Sequence, residues 1–203
     1  MMTQLEIFNK SGAIQISNVI PKELSQFLTH IMMRQYHEMK IHNIPFNDVQ
    51  VKDALTVMKH DIIFETVNER VWPFLEDVLG EELIPTYSFA RLYQNGNVLE
   101  KHIDRPSCEI SLSIQLGRSH HYSWPLYAGK NRFDLAEGDG VLYKGCDVEH
   151  WRNACDGPTG YYSGQVFCHY VRANGPLAKY AGDGRWDDEM PFERYRTFAM
   201  ETK

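Results

Sequence analysis

Little in this sequence is arranged for cross-linking, membrane crossing or charge display. The four cysteines among 203 residues, Cys108, Cys146, Cys155 and Cys168, follow no framework spacing, which argues against a disulfide scaffold and for reduced thiols. No apolar run approaches the roughly 20 residues that a membrane helix needs. Met1 is not followed by a basic segment and an apolar stretch of the exported kind, so the expected location is the cytoplasm. Positive charge is also short: 21 Lys+Arg stand against 27 Asp+Glu, a net charge of −6. That balance disfavours a large phosphate-binding face and makes nucleic acid an unpromising partner. Low-complexity tracts, internal repeats and long Gly/Ser/Pro linkers are missing, as expected of one compact domain spanning 1–203. Two common catalytic signatures fail as well. Gly160-Tyr161-Tyr162-Ser163-Gly164 is not the G-x-S-x-G elbow, and Gly138 to Gly145 lacks the third glycine of a dinucleotide loop.

What is present falls into three zones, 1–84, 85–172 and 173–203. In the first, Gly12 to about Val19 alternates enough for a short strand, and Pro21 opens a helix through Leu24, Leu28, Ile31 and Met32. A second helix is expected from Asp61 to Leu79, closed by Gly80, with Pro73 kinking or dividing it. Lys40 to Lys59, which contains Pro45, reads as a loop. The middle zone changes to short β-rich segments: Ser88 to Tyr93, Ile110 to Leu116, Tyr122 to Tyr127, Gly140 to Tyr143 and Gln165 to Val171. Their turns are marked by Gln94-Asn95-Gly96-Asn97 and Glu137-Gly138-Asp139-Gly140. Such spacing suggests a sandwich or barrel. The last zone mixes Trp186, Phe192, Tyr195 and Phe198 with charges, as a short helix or lid would.

Nine histidines are present, and two of them stand in a pattern with chemical meaning. Lys101-His102-Ile103-Asp104 is followed, 46 positions after Asp104, by His150 in Asp147-Val148-Glu149-His150-Trp151-Arg152. Strand residues two apart face one side, so His102 and Asp104 can present an imidazole and a carboxylate to one point, and a distant histidine completes the set. Two histidines and a carboxylate on one face of an octahedron leave three positions open, the facial triad of non-haem Fe(II) oxygenases. Tyr93 and Gly96 precede the first motif, and a Gly138-Asp139-Gly140 turn leads into the apolar strand before His150.

With these motifs in this order, Phe89 to Val171 resembles the 2-oxoglutarate/Fe(II)-dependent dioxygenase superfamily, in its prolyl-4-hydroxylase-like branch. The resemblance implies a mainly β fold with supporting α structure, a double-stranded β-helix (jelly roll) flanked by N-terminal helices. It also implies Fe(II) held by His102, Asp104 and His150, 2-oxoglutarate as cosubstrate, O₂, and possible use of ascorbate as reductant. Oxidative decarboxylation of 2-oxoglutarate to succinate and CO₂ would be coupled to hydroxylation of a peptide or a small molecule; no oligomeric state is implied. Tyr93 matches an aromatic that contacts the cosubstrate. Ile110 to Leu116 alternates, with Ser111, Ser113 and Gln115 on one face, and Gln115 aligns with a second contact. The family places a cation about nine or ten residues after the second histidine, but here Thr159 and Gly160 stand there. A buried dianion needs a cation. Arg152, two residues after His150, is the first candidate, followed by Lys144, Arg91 and Arg105.

Each assignment has an ordinary alternative. His102 and His150 could be hydrogen-bonded core residues, Asp104 could cap a turn before Pro106, and Tyr93 could be plain core. Arg152 could pair with Glu149 or Asp147, and the polar face of Ser111, Ser113 and Gln115 could meet water. His120 and His121 read as an exposed loop tip, and His169 as a core or cavity-wall residue. His30, His37, His42 and His60 fall on helix surfaces and loops. Cys146, His150, Cys155 and His169 are zinc-type ligands whose spacing fits no zinc module. From another class, a cupin-like β-helix binding a metal or small molecule without turnover is suggested by Gly138 to Asn153, although HxD in place of HxH favours the oxygenase.

Overall fold

The computed structural model describes residues 2–46, 48–57 and 61–184. Three helices lie in the N-terminal zone. The first, α1 (Gln4–Ser11), begins with a reciprocal capping box between Thr3 and Glu6 and stops at Gly12, whose φ of 73° takes the left-handed turn. Helix α2 (Lys22–Ile41) starts after Pro21 and runs well past Met32. Helix α3 (Ile62–Leu79) is capped by Asp61, which accepts from Ile63 N at 3.0 Å, and ends at left-handed Gly80.

Pro73 does not divide α3. The lost backbone bond is outweighed by the face on either side of it: Val71, Trp72, Leu75 and Leu79 are all buried, and Trp72 Nε1 donates to Leu83 O at 3.0 Å. The loop expected over Lys40 to Lys59 is shortened at both ends. Helix α2 takes Lys40 and Ile41, and Leu55–Val57 forms an edge strand.

Strands β1 (Ala13–Ile16), β2 (Leu55–Val57), β3 (Leu83–Gln94), β5 (Ile110–Arg118), β8 (Gly140–Lys144) and β10 (Tyr162–Arg172) form one sheet in the order β1-β8-β5-β10-β3-β2. Strands β4 (Leu99–His102), β6 (Leu126–Ala128), β7 (Asn131–Phe133) and β9 (His150–Arg152) form a second, ordered β4-β9-β6-β7. Every pairing is antiparallel. One expected strand is shorter than its sequence pattern. Tyr122 to Pro125 lie outside β6 because Pro125 cannot donate to a ladder and Ser123 instead bonds Asp134 at 2.6 Å. A short 3₁₀ turn occurs at Pro106–Cys108, and Ala178–Gly184 holds short turns broken by non-helical backbone at Ala181, Gly182 and Asp183. Trp186, Phe192, Tyr195 and Phe198, expected in a helix or lid, lie outside the described residues, as does His60.

Alternation fixes what each face of the larger sheet meets. Leu112, Ile114 and Leu116 of β5, Val166, Cys168 and Tyr170 of β10, and Ala90 and Leu92 of β3 point to the helix side and join Met32 and Trp72 in the main core. The other set points toward the smaller sheet and forms rungs across paired strands. One rung runs Tyr143, Ser111, His169, Tyr87; the next runs Val141, Ser113, Phe167, Phe89; a third runs Gln115, Gln165, Arg91. Ser111, Ser113 and Gln115 therefore do not meet water; all three are buried.

Gly138 holds the entry to β8 against the chain before α2. Its φ is 89°, and a Cβ there would sit 2.3 Å from the Ile20 carbonyl oxygen. Gly138→Ala should lower unfolding free energy by about 3 kcal/mol, from left-handed strain plus displaced backbone. A urea melt showing a midpoint equal to that of the parent chain would contradict this close approach.

Candidate metal centre

The two strands β4 and β9 pair so that His102 stands directly opposite His150. Their ring centroids are 4.2 Å apart. His102 Nδ1 lies 2.7 Å from Glu100 O, and His150 Nδ1 lies 2.9 Å from Val148 O. A carbonyl only accepts, so each Nδ1 carries the hydrogen and each neutral ring presents a bare Nε2. Those Nε2 atoms approach Asp104 Oδ1 at 3.7 and 3.5 Å. One donor atom from each of the three residues falls within a 4.8 Å set.

Asp104 reaches this point from beyond the end of β4, not from the strand itself. Its backbone N donates to Gly145 O at 2.8 Å, and its Oδ2 accepts from Ser111 Oγ at 3.2 Å. Ser111 Oγ in turn lies 2.9 Å from His169 Nδ1. One carboxylate oxygen is thus tethered while the other faces the imidazoles. Gly145 makes this possible, because a Cβ would stand 2.1 Å from Cys108 O and 2.7 Å from Asp104 Oδ2. Burial lowers the His102 pKa below the ordinary imidazole value, and the neighbouring His150 lowers it further. Burial alone would raise that of Asp104, but the imidazole of His150 against its carboxylate, with His169 and His102 close by, outweighs burial and holds the group as carboxylate. Two imidazole lone pairs and an anionic oxygen converging on one point, with no proton between them, are a donor set suited to a divalent transition metal.

A cavity of about 450 Å³ opens on this cluster. Among its lining residues are the three donors, with Tyr143, His169 and Arg91. Arg152, Tyr93, Gln115 and Lys144 do not line it. Lys144 points elsewhere, its Nζ 5.4 Å over the Phe8 ring. Gln115 is buried with Nε2 donating to Ser163 Oγ at 3.0 Å and Leu116 O at 3.0 Å. Tyr93 is wholly buried, its hydroxyl accepting from Arg91 Nη1 at 3.0 Å and its ring edge-on to Trp124.

Arg152 is 2% exposed. Its Nη1 donates to the Trp124 carbonyl, and its guanidinium lies 4.9 Å over the Trp124 ring. The Gln165 side-chain amide lies 3.2 Å from Nη2. Burial lowers the Arg152 pKa from the usual guanidinium value. No carboxylate among the described residues pairs with it; Glu149 pairs with Lys101 instead. Arg91, the other buried arginine, is matched by Asp48 at 2.6 Å. Arg105 is matched by Asp183 at 2.7 Å, and Arg172 by Glu81 and Glu109.

Sequence reasoning passed over Asp48 and Gly145; His169, read there as a core or cavity-wall residue, is buried and lines the cavity. Asp48 sits 43 positions from Arg91, and no spacing rule connects them. His169 had one usable signal, a polar residue alternating in phase with Gln165 across Phe167. His120 and His121 are exposed in a bend, as expected.

No family profile and no curated protein matches this chain. Solved structures do. A prolyl-4-hydroxylase from Pseudomonas putida superposes with a TM-score of 0.60 at 13% identity, over 83% of this chain and 97% of that one. HygX from Streptomyces hygroscopicus, solved with nickel and 2-oxoglutarate bound, gives 0.59 at 11% identity, over 84% and 87%. A prolyl hydroxylase from Trichoplax adhaerens, in complex with a hypoxia inducible factor peptide fragment, gives 0.60 at 11% identity, over 91% and 92%. The chain therefore shares the fold of 2OG-Fe(II) oxygenases, prolyl hydroxylases among them.

Calorimetric titration with Co(II) tests the donor set. Asp104→Asn should weaken binding at least about 100-fold, and Ser111→Ala about 10- to 100-fold, by loosening the tethered oxygen. Protons compete with metal for imidazole, so affinity should fall on acidification. Because the His102 pKa is depressed, its share of that loss should begin below the ordinary value of about 6.5. Unchanged Co(II) affinity in Asp104→Asn would remove Asp104 from the site.

Proposed function

We propose that this protein is an Fe(II)- and 2-oxoglutarate-dependent dioxygenase that hydroxylates a small molecule or a peptide. The observation that carries this reading is the convergence of His102 Nε2, His150 Nε2 and Asp104 Oδ1 on the cavity, within the fold that prolyl hydroxylases and HygX share. His102, Asp104 and His150 would hold Fe(II). When bound, the metal would supply the positions at which a keto acid and O₂ meet, coupling decarboxylation of 2-oxoglutarate to succinate and CO₂ with insertion of oxygen into a C–H bond. The two sheets would be the halves of a double-stranded β-helix, 85–172 its core, 1–84 its supporting layer and 173–203 a C-terminal extension of one domain. Ascorbate would serve as reductant. The four free thiols fit the cytoplasmic location expected from the sequence.

The chain's own residues would do three things for the cosubstrate. Arg152 would receive the distal carboxylate. It is the one buried cation among the described residues without an acid partner, and a charge left so is costly unless a ligand supplies the anion. It lies two residues from His150 on the same strand, roughly 7 Å along at about 3.3 Å per residue. That separation suits a five-carbon diacid with its other end at the triad. Tyr93 and Trp124 would fix the guanidinium plane from its faces. Gln165, in register with Gln115 and within reach of Nη2, would orient the fork, so Gln115 acts at one remove. Lys144 has no part in this arrangement, and Arg91 is already neutralised by Asp48. The cupin-like alternative gains no support from any of these observations.

Anaerobic addition of Fe(II) and 2-oxoglutarate should produce a weak visible charge-transfer band, and with O₂ the mixture should yield succinate. His102→Ala should lose both. A folded, iron-loaded chain that gives neither would end this reading. Arg152→Met should raise the 2-oxoglutarate Kd at least about 30-fold, the loss usual for one partner of a buried charge pair. If Arg91→Met raises it and Arg152→Met does not, the distal carboxylate belongs to Arg91.

A further inference from the structure

Charge on the cavity wall cancels within the wall. Outside the triad its charged side chains are Asp48, Arg91 and Arg105. Arg91 donates through Nε to Asp48 Oδ2 at 2.6 Å, through Nη2 to Asp48 Oδ1 at 3.3 Å and Gln50 Oε1 at 2.9 Å, and through Nη1 to Tyr93. Four of its five N–H groups thus have acceptors. Asp48 Oδ1 also accepts from the backbone of Gln50 and Val51. Arg105 is held by Asp183, and its guanidinium lies 4.7 Å over the Tyr87 ring.

Aromatic rings make up one side of the uncharged cavity surface, with Leu99, Leu126 and Cys108 also in its lining. Phe89 and Phe167, paired across β3 and β10, have centroids 4.5 Å apart and planes 19° from parallel. Tyr87 follows Phe89 at 6.2 Å and 18°, and His169 lies 5.7 Å from Phe89 at 22°. These near-parallel rings form a ladder on the larger sheet, whereas His102 and His150 belong to the smaller one. Two exposed aliphatic residues border the same cavity: Ile103, set between two of the donors, is 54% exposed, and Val49 is 99% exposed.

We propose that the group oxidised here is an uncharged, apolar ring or chain of a small molecule, seated between the Tyr87–Phe89–Phe167 ladder and the triad and entering past Val49 and Ile103. This rests on the dioxygenase reading above. The step balances as R–H + O₂ + 2-oxoglutarate → R–OH + succinate + CO₂: one oxygen atom enters the C–H bond, the other enters succinate, and the keto acid supplies two electrons. A carboxylate, phosphate or ammonium brought into this half would shed water and find only ions already matched. An apolar ring instead gains from leaving water and from the rings beside it. The cavity volume is of small-molecule size.

The test uses the full chain with Fe(II), 2-oxoglutarate and ascorbate, following succinate in air and the visible band without air. Benzamide, cyclohexanone and indole are compared with phenylalanine, proline, AMP and a blocked pentapeptide. At least one of the three uncharged ring compounds should raise succinate formation severalfold and shift the band, whereas phenylalanine, proline, AMP and the pentapeptide should do neither. Stimulation by only the zwitterions, AMP or the pentapeptide overturns the inference, and so does a panel in which no ring compound acts. The dioxygenase reading fails separately, through absence of the band and of succinate before any panel member is added. Phe167→Ala should weaken the active ring compound by up to about tenfold. Val49→Asp, placed at an exposed site where folding is untouched, should weaken it several-fold, and unchanged affinity in both variants overturns the proposal.

Discussion

The antiparallel pairing of β4 with β9 is the constraint on which the rest of the site depends. It sets His102 opposite His150 and brings their rings within 4.2 Å. The register shifts between Leu99 and His102, and β4 ends at His102. Had the strand continued in regular register, Asp104 would have moved on along the ladder, away from the point between the imidazoles. Ending the strand lets the chain turn, with Asp104 N on Gly145 O, and the carboxylate folds back toward both rings. A side chain at Gly145 would block that return, so the glycine and the strand end act together.

The larger sheet answers this constraint with rungs. Cross-strand neighbours on one face stand in line because alternation holds through β8, β5, β10 and β3 at once. The rung holding Ser111 and His169 tethers Asp104, the next ends in the stacked Phe167 and Phe89, and the third ends in Arg91. Burying so many polar groups on an inner face is tolerable only when they satisfy one another. The outer face carries the compensating apolar load: α2 and α3 cover Leu112, Ile114, Val166 and Ala90, and Trp72 anchors α3 on both sides of Pro73.

Much of this architecture is legible in the chain because it is periodic or local. The alternation from Ile110 to Leu116, the caps at Asp61 and Gly80, and the His102-Ile103-Asp104 motif all lie in short windows, and His150 is reached through the order of the motifs. The rest depends on contacts between distant segments. Pro73 reads as a break because its lost hydrogen bond is local, whereas the packing that overrides it is not. Tyr122 to Tyr127 has strand-like composition, yet Pro125 and the Ser123–Asp134 bond remove its first half from the ladder. The match of Arg91 with Asp48 is invisible without the fold, and so is the lack of one at Arg152 among the described residues. That difference separates two arginines that look equivalent in the sequence.

The same difference divides the interior. A net charge of −6 does not describe the inside of this protein, where the buried arginines are placed one by one. At one end Arg152 stands behind the His150 strand with aromatic faces and an amide but, among the described residues, no acid, so burial of its charge is offset less fully than at Arg91. At the other end the acid is supplied by the loop that carries Asp48, and Arg91 becomes part of a neutral wall. A cosubstrate with two carboxylates and a substrate with none would therefore sort themselves without a steric gate, because each half of the interior penalises the wrong charge through desolvation. Asp48, Val49 and Gln50 line that side of the cavity, and because Asp48 already matches Arg91 a second diacid beside the triad would meet no unmatched cation from this wall.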